Sequence, residues 1–238
     1  MTSSAAGGLT RLACLALLAP LALGTLVPHE APAQERVATA ADLPTRLAAP
    51  TRQAIERLAD SLRTEGLPAD AIFAKAAEGV LKGAEDSRIL LAVRRLAHAL
   101  GEARAALGAS AGDAELVAGA SALQSGASTA SLHRLREVSV QGPTAPRAAL
   151  ATPLVVLTDL LTRHVPVSVA TAAIESLVTR QAPAEDFEAL RAAVERDIDA
   201  GRAPEAATVL RTRSLLQTLD ERDRPADRRA RRPFLPRD

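Results

Sequence analysis

The chain is poor in aromatic residues. It contains no tryptophan or tyrosine and three phenylalanines among 238 residues, so aromatic residues make up 1% of the total. Apolar residues are nevertheless 47% of the chain, which is enough to bury a core of ordinary size. Because this core must be built from leucine, valine, isoleucine and alanine, its helices can approach closely but have few bulky anchors.

Cysteine is nearly absent, and the one thiol lies near the N-terminus at Cys14. The rest of the chain therefore excludes disulfides, thiolate metal sites and a cysteine nucleophile. Cys14 opens an apolar run instead of following it, and Arg11 stands before it, which argues against a lipoprotein signal. Such a protein must be held together by packing.

Neither charge sign is in excess. The chain has 29 Lys and Arg against 28 Asp and Glu, a formal net charge of +1. This balance excludes a global attraction to nucleic acid or to anionic membranes. Only Lys75 and Lys82 are lysines, and we interpret the arginine and alanine bias as a property of a high-GC coding sequence.

The N-terminal segment has the pattern of an export signal. An uncharged apolar run over residues 12–27 is followed by the small residues Ala31 and Ala33, at the positions that a signal peptidase reads. We therefore predict a signal peptide over residues 1–33, with Gln34 as the new N-terminus and a periplasmic or extracellular location. The run is short for a membrane span, so an uncleaved anchor is the alternative, and no span is expected in the mature chain.

Helical periodicity dominates the remainder. After a flexible lead-in predicted over residues 34–50, apolar residues recur at steps of three and four, and no alternating strand pattern competes. The longest face lies in residues 87–107, with steps of 4, 3, 4, 3 and 4 that form a heptad seam, as in a coiled coil. Its members are Ile89, Val93, Leu96, Leu100, Ala103 and Leu107.

Short connectors recur between the helical segments. A residue able to end a helix is followed by a short bridge, and a proline then begins the next helix. The residues that end these helices are Gly66, His164, Gln181 and Gly201. Such turns place successive helices antiparallel. The sequence therefore predicts an all-α antiparallel helix–turn–helix array, either an irregular helical bundle or a short α-solenoid built from degenerate helical repeats.

Composition divides this array. We predict a first helical subdomain over residues 51–138 and a second over residues 150–219, because Gly142 and two prolines give residues 139–149 the character of a linker. Residues 220–238 carry mixed charges and no apolar face, which predicts a disordered charged tail.

Histidines provide the candidate metal ligands. His98 precedes Glu102 by four residues, and His133 precedes Glu137 by four, so each pair shares a helical face. Two ligands do not make a metal site, and we expect solvated surface pairs. The chain has no Gly-x-Ser-x-Gly elbow and no glycine-rich phosphate loop, so we predict neither a catalytic site nor a cofactor.

The tail holds the densest basic cluster, formed by Arg228, Arg229, Arg231 and Arg232. In an exported protein such a cluster could contact an envelope polyanion. The neighbouring acids favour a plain solubilising tail instead. No aromatic residue lies between the arginines, so base stacking on nucleic acid is unsupported.

Taken together, these patterns predict an exported helical binding or scaffold protein without visible catalytic chemistry. Its partner would be a protein or an envelope polyanion, and no nucleic acid is expected. Two alternatives stay open: an envelope-associated hydrolase with an unrecognised site, and a structural envelope component anchored through its Arg-rich tail. An exposed apolar groove would favour the binder, whereas a pocket joining a serine or carboxylate to a histidine would favour the hydrolase.

Overall fold

The protein is described here by a computed structural model that covers residues 46–140 and 149–230, with side chains to residue 222. These ranges contain nine α-helices and no strand, which confirms the predicted all-α fold. The helices are α1 (Ala49–Thr64), α2 (Asp70–Leu81), α3 (Asp86–Leu107), α4 (Asp113–Gln124), α5 (Thr129–Ser139), α6 (Ala151–Thr162), α7 (Val167–Thr179), α8 (Ala184–Asp199) and α9 (Pro204–Ala230).

Six of the turns between helices share one geometry. Each turn has a residue with positive φ, and the next N–H reaches back to the carbonyl five residues earlier, as in a Schellman motif. At the first turn, for example, the Leu67 N–H donates to the Leu62 carbonyl at 2.8 Å. The positive-φ residues are Gly66, Gly83, Gly126, His164, Gln181 and Gly201. The four helix-ending residues predicted from the connectors are therefore confirmed, including the two that are not glycine.

The helices pack as a two-layered array. Helices two apart in sequence form each layer: α1, α3, α5, α7 and α9 pack in series in one, and α4, α6 and α8 in the other. Contacts between successive helices, such as α3 with α4 and α8 with α9, join the layers. Because each helix meets mainly its near neighbours in sequence, the arrangement is that of a short α-solenoid.

The predicted seam of α3 lies at the centre of the first part of this array. All six of its members, from Ile89 to Leu107, are buried. The helix packs against α1, α2, α4 and α5, so the seam meets helices of its own chain. This is the intramolecular use that short connectors favour, because they keep neighbouring helices within reach.

The array continues across the predicted linker. Residues 141–148 lie outside the described residues, but α4 packs on α6 and α5 packs on α7. The Glu115 carboxylate accepts a hydrogen bond of 2.8 Å from the N–H of Leu150, at the start of α6. The helices of the two predicted subdomains are thus in direct contact.

A similar carboxylate holds the start of α1. The N-cap of α3 is Glu85, which makes no side-chain capping bond. The Asp86 carboxylate instead accepts a 2.9 Å hydrogen bond from the N–H of Ala48, the N-cap of α1. Spacing along the chain cannot reveal a cap that comes from another helix.

Both ends of the array are more ordered than composition alone indicates. Leu47 belongs to the predicted flexible lead-in but is only 2% exposed. At the other end α9 continues to Ala230, so residue 220 lies inside a helix. Here Asp220 pairs with Arg180, the C-cap of α7, and Arg222 lies 3.2 Å from the buried Asp186 of α8. These ion pairs link the start of the predicted tail to neighbouring helices.

Candidate functional site

The two predicted histidine pairs are surface contacts. His98 Nδ1 lies 3.2 Å from Glu102 Oε2, and His133 Nδ1 lies 3.5 Å from Glu137 Oε1. Both imidazoles are well exposed; that of His98 is 76% exposed. Within the described ranges, no group of three His, Cys, Asp or Glu side chains could hold a metal ion.

The other predicted site residues cannot be placed. Ala31, Ala33 and Gln34, at the predicted cleavage site, lie outside the described residues. So do Arg231 and Arg232, whereas Arg228 and Arg229 belong to α9 but lie beyond the described side chains. Their contact with a polyanion stays a prediction. Over the part of the chain that is described, no helix is both long and apolar enough to cross a membrane.

The structure reveals a groove that the sequence does not indicate. We call it the α3 groove, because α3 forms its floor while α2 and α4 form its sides. Its cavity volume is about 660 Å³, within the usual size range of ligand sites. Its lining residues are Lys75 from α2, Leu123 and Gln124 from α4, and Arg88, Leu91, Ala92, Arg95, His98, Ala99 and Glu102 from α3.

The groove arises from an opening in one helix layer. In that layer α4 packs on α6 and α6 on α8, but α2 does not pack on α4 to a comparable extent. The α3 face between them is therefore uncovered. Its residues recur at steps of three and four, like those of the buried seam, but on another side of the same helix.

The α3 groove combines an apolar patch with positive charge. Leu91 lies at its floor and is 50% exposed, and the lining also includes Ala92 and Leu123. Arg88 and Arg95 lie one helical turn to either side. Both are exposed, and neither side chain makes a hydrogen bond or ion pair with a described residue. The lining contains a single carboxylate, Glu102, which is already paired with His98.

A lysine completes the positive side of the groove. Lys75 Nζ lies 2.8 Å from a Glu78 carboxylate oxygen, and Lys82 contacts the other oxygen. The hydrogen bond from Lys75, followed by that from Lys82, lowers the pKa of Glu78 to about 2. Two ammonium groups therefore share one carboxylate, which leaves net positive charge beside the groove.

A second groove lies between α7 and α9, at the other end of the array. Its cavity volume is about 560 Å³, and its surface is formed largely by small or apolar side chains such as Val169, Ala172 and Leu216. Arg180 and Asp220, which pair with each other, lie along it. Arg213, which is exposed and whose side chain has no partner among the described residues, also lines this groove. The α3 groove differs because two such arginines lie on either side of a half-exposed leucine.

Sequence reasoning missed the α3 groove because it followed the regular seam of the helix and not its other faces. A signal was present: Leu91 stands among arginines, outside the heptad positions. Such a leucine could equally be covered by a neighbouring helix. Only the separation of α2 from α4 distinguishes the two cases.

Comparisons with known proteins give no guidance. No protein-family model, curated protein or solved structure matches the chain. The function must therefore be argued from the groove itself.

Proposed function

We propose that the protein is an exported helical binding protein that receives a segment of a partner protein in the α3 groove. The observation that carries the proposal is the half-exposed Leu91 between two unpaired arginines. Leu91 shares the lining of the groove with Leu123 and Ala92. An apolar patch with a polar rim inside a concave surface is typical of a binding site, and arginine is enriched at protein interfaces. Helical arrays of this type offer such surfaces to peptide segments.

A matched pair of leucines tests this use of the groove. Leu91→Glu places a carboxylate on the groove floor, whereas Leu81→Glu changes an 87% exposed leucine that does not line the groove. The partner captured from the native envelope fraction by the wild-type protein should be lost with Leu91→Glu and kept with Leu81→Glu. Equal capture by both variants would contradict binding at this groove.

Hydrolysis remains a second candidate because of one feature of the groove. His98 and Glu102 form a histidine–carboxylate pair inside it, which is the arrangement that positions an imidazole as a general base. No serine, threonine or cysteine lines the groove, so the attacking group would have to be water. Hydrolysis of simple esters that disappears in His98→Gln, with helicity unchanged, would favour this candidate.

Export itself is tested at the N-terminus. A chain recovered from the envelope or the medium should begin at Gln34 if the segment over residues 1–33 is removed. An intact N-terminus on membrane-bound protein would favour the uncleaved anchor. Membrane release after truncation before Arg228 would instead support the structural component held by its Arg-rich tail.

A further inference from the structure

We infer that the α3 groove selects an acidic amphipathic helix whose two carboxylates lie two turns apart, on either side of an apolar residue. This inference rests on the proposed binding function and names the chemistry of the partner. It comes from the spacing and the unpaired state of Arg88 and Arg95, with Leu91 between them.

The spacing of the arginines sets the spacing of the carboxylates. Arg88 and Arg95 are seven residues apart in α3, so their Cα atoms are separated by about 10 Å along the helix axis and lie on nearly the same side. Carboxylates at positions i and i+7 of a partner helix have the same separation. A leucine at i+3 or i+4 of that helix would then meet Leu91.

Both arginines are available for a partner. Neither side chain makes an ion pair or hydrogen bond with a described residue, so an incoming carboxylate displaces water and breaks no existing contact. Arginine also binds carboxylates through two parallel hydrogen bonds, which adds geometric specificity. Lys75 lies along the same groove, and the single carboxylate of the lining, Glu102, is paired with His98.

The apolar part of the groove separates an acidic protein segment from a simple polyanion. Leu91 and Leu123 line the groove together with Ala92 and Ala99. A sugar-phosphate or carboxylate polymer has no apolar side chain to cover them, whereas an amphipathic helix does. An opening between two helices, floored by a third, is also a natural place for one more helix.

Neighbouring arginines provide a matched test. Arg95 lines the groove, whereas Arg94 is also exposed and its side chain is also unpaired among the described residues, but it lies about 100° around the helix, outside the groove. The probe is a labelled, alanine-based helical peptide of about five turns, with glutamates at i and i+7 and leucine between them. A basic peptide with lysines in place of the two glutamates is the comparison. Binding is measured by fluorescence anisotropy on the full chain.

We expect the acidic peptide to bind at least about tenfold more tightly than the basic one, since each charge-assisted pair adds a favourable contact. Arg95→Glu should lose about tenfold or more for the acidic peptide, while Arg94→Glu should change it by less than about threefold. The double variant Arg88→Glu, Arg95→Glu should reverse the preference and bind the basic peptide. Circular dichroism checks that every variant keeps its helicity.

Several results would overturn the inference. Equal binding of both peptides would remove charge selection, and equal losses in Arg94→Glu and Arg95→Glu would show unspecific attraction. If neither peptide bound, the inference would also be overturned. Loss of partner capture in Leu91→Glu but not in Leu81→Glu is an independent readout, so the groove could be retained as a binding site even where its preference for acids fails.

Discussion

Arg211 of α9 holds the buried carboxylate of Asp197 in α8 with two hydrogen bonds, one from Nε to Oδ2 at 2.9 Å and one from Nη2 to Oδ1 at 2.6 Å. Arg202, in the turn between the helices, adds a contact of 3.3 Å to Oδ2. The hydrogen bonds from Arg211 are the main reason why the pKa of Asp197 lies below its ordinary value. This pair fixes the last helix of the array to the one before it.

The pair predicts a specific loss of stability at the end of the array. Arg211→Lys keeps the charge but cannot form the bidentate contact with Asp197. We therefore expect a lower Tm, measured by circular dichroism. Arg213→Lys changes an exposed arginine of the same helix whose side chain has no partner among the described residues, and it should leave the Tm nearly unchanged. Similar Tm values for the two variants would show that the paired geometry is not stabilising.

The same pair predicts a dependence on pH. Because the pKa of Asp197 is lowered in the folded state, its ionised form stabilises the fold above the ordinary carboxyl pKa of about 3.8, and this contribution is lost as the pH falls through the folded value. The stability difference between wild type and Asp197→Asn should therefore be largest near neutral pH and shrink below about pH 4. A difference that grew on acidification would contradict the pairing.

The heptad seam gives a prediction about the core. Leu96 is buried at the middle of α3, whereas Leu81 at the end of α2 is 87% exposed. Leu96→Ala should lower the free energy of unfolding by about 2–5 kcal/mol, since it removes core contacts and leaves a cavity. Leu81→Ala should change it by less than about 0.5 kcal/mol, as is usual for surface substitutions. Urea denaturation provides both values.

Two helical glycines should respond in opposite directions to alanine. A Cβ on Gly79 would lie 2.8 Å from Cγ1 of Ile89, where α2 approaches α3, whereas a Cβ on Gly101 would have no neighbour within 4 Å. Gly101→Ala should stabilise the protein by about 0.5–1 kcal/mol through helix propensity. Gly79→Ala should destabilise the protein, because the clash of the new Cβ with Ile89 outweighs the gain in helix propensity. Stabilisation by both substitutions would mean that α2 and α3 can separate at little cost.

Local signals made much of this fold predictable. Helix periods, glycines and the prolines of the connectors identified the all-α class and the turn residues, because a Schellman turn depends on a few adjacent positions. The layers were not predictable in this way. Whether α4 meets α6 while α2 stays apart from α4 depends on contacts between distant residues. Hydrogen bonds between helices, such as that from the Ala48 N–H to the Asp86 carboxylate, could not be predicted for the same reason.

The candidate site was less predictable than the fold. Its residues were visible as arginines and a leucine on the outer side of α3, but that pattern is also usual for a solvated face. The site exists because two neighbouring helices leave Leu91 uncovered while Arg88 and Arg95 find no acidic partner in the described chain. Both conditions are properties of the packed array, and neither can be read from α3 alone.

Backbone strain is expected at Gln181, one of the two positive-φ residues of the Schellman turns that are not glycine. It ends α7 with φ of +53°, a conformation that costs a residue with a Cβ about 1–2 kcal/mol. Its N–H donates to the Val178 carbonyl at 2.9 Å, and the next N–H, that of Ala182, donates to the Leu177 carbonyl at 3.0 Å. The turn therefore keeps its two hydrogen bonds whatever side chain stands at position 181.

Gln181→Gly should raise the free energy of unfolding by up to about 1 kcal/mol, because glycine adopts positive φ without strain but gains some entropy in the unfolded chain. Gln181→Ala is the matched control: it also removes the exposed amide but keeps the Cβ, so it should show no comparable gain. At Gly201, which has φ of +89°, alanine should destabilise the protein by about 1 kcal/mol or more. If Gln181→Gly proved no more stable than Gln181→Ala in urea denaturation, the turn would not be strained at this residue, and its side chain would have to stabilise it in another way.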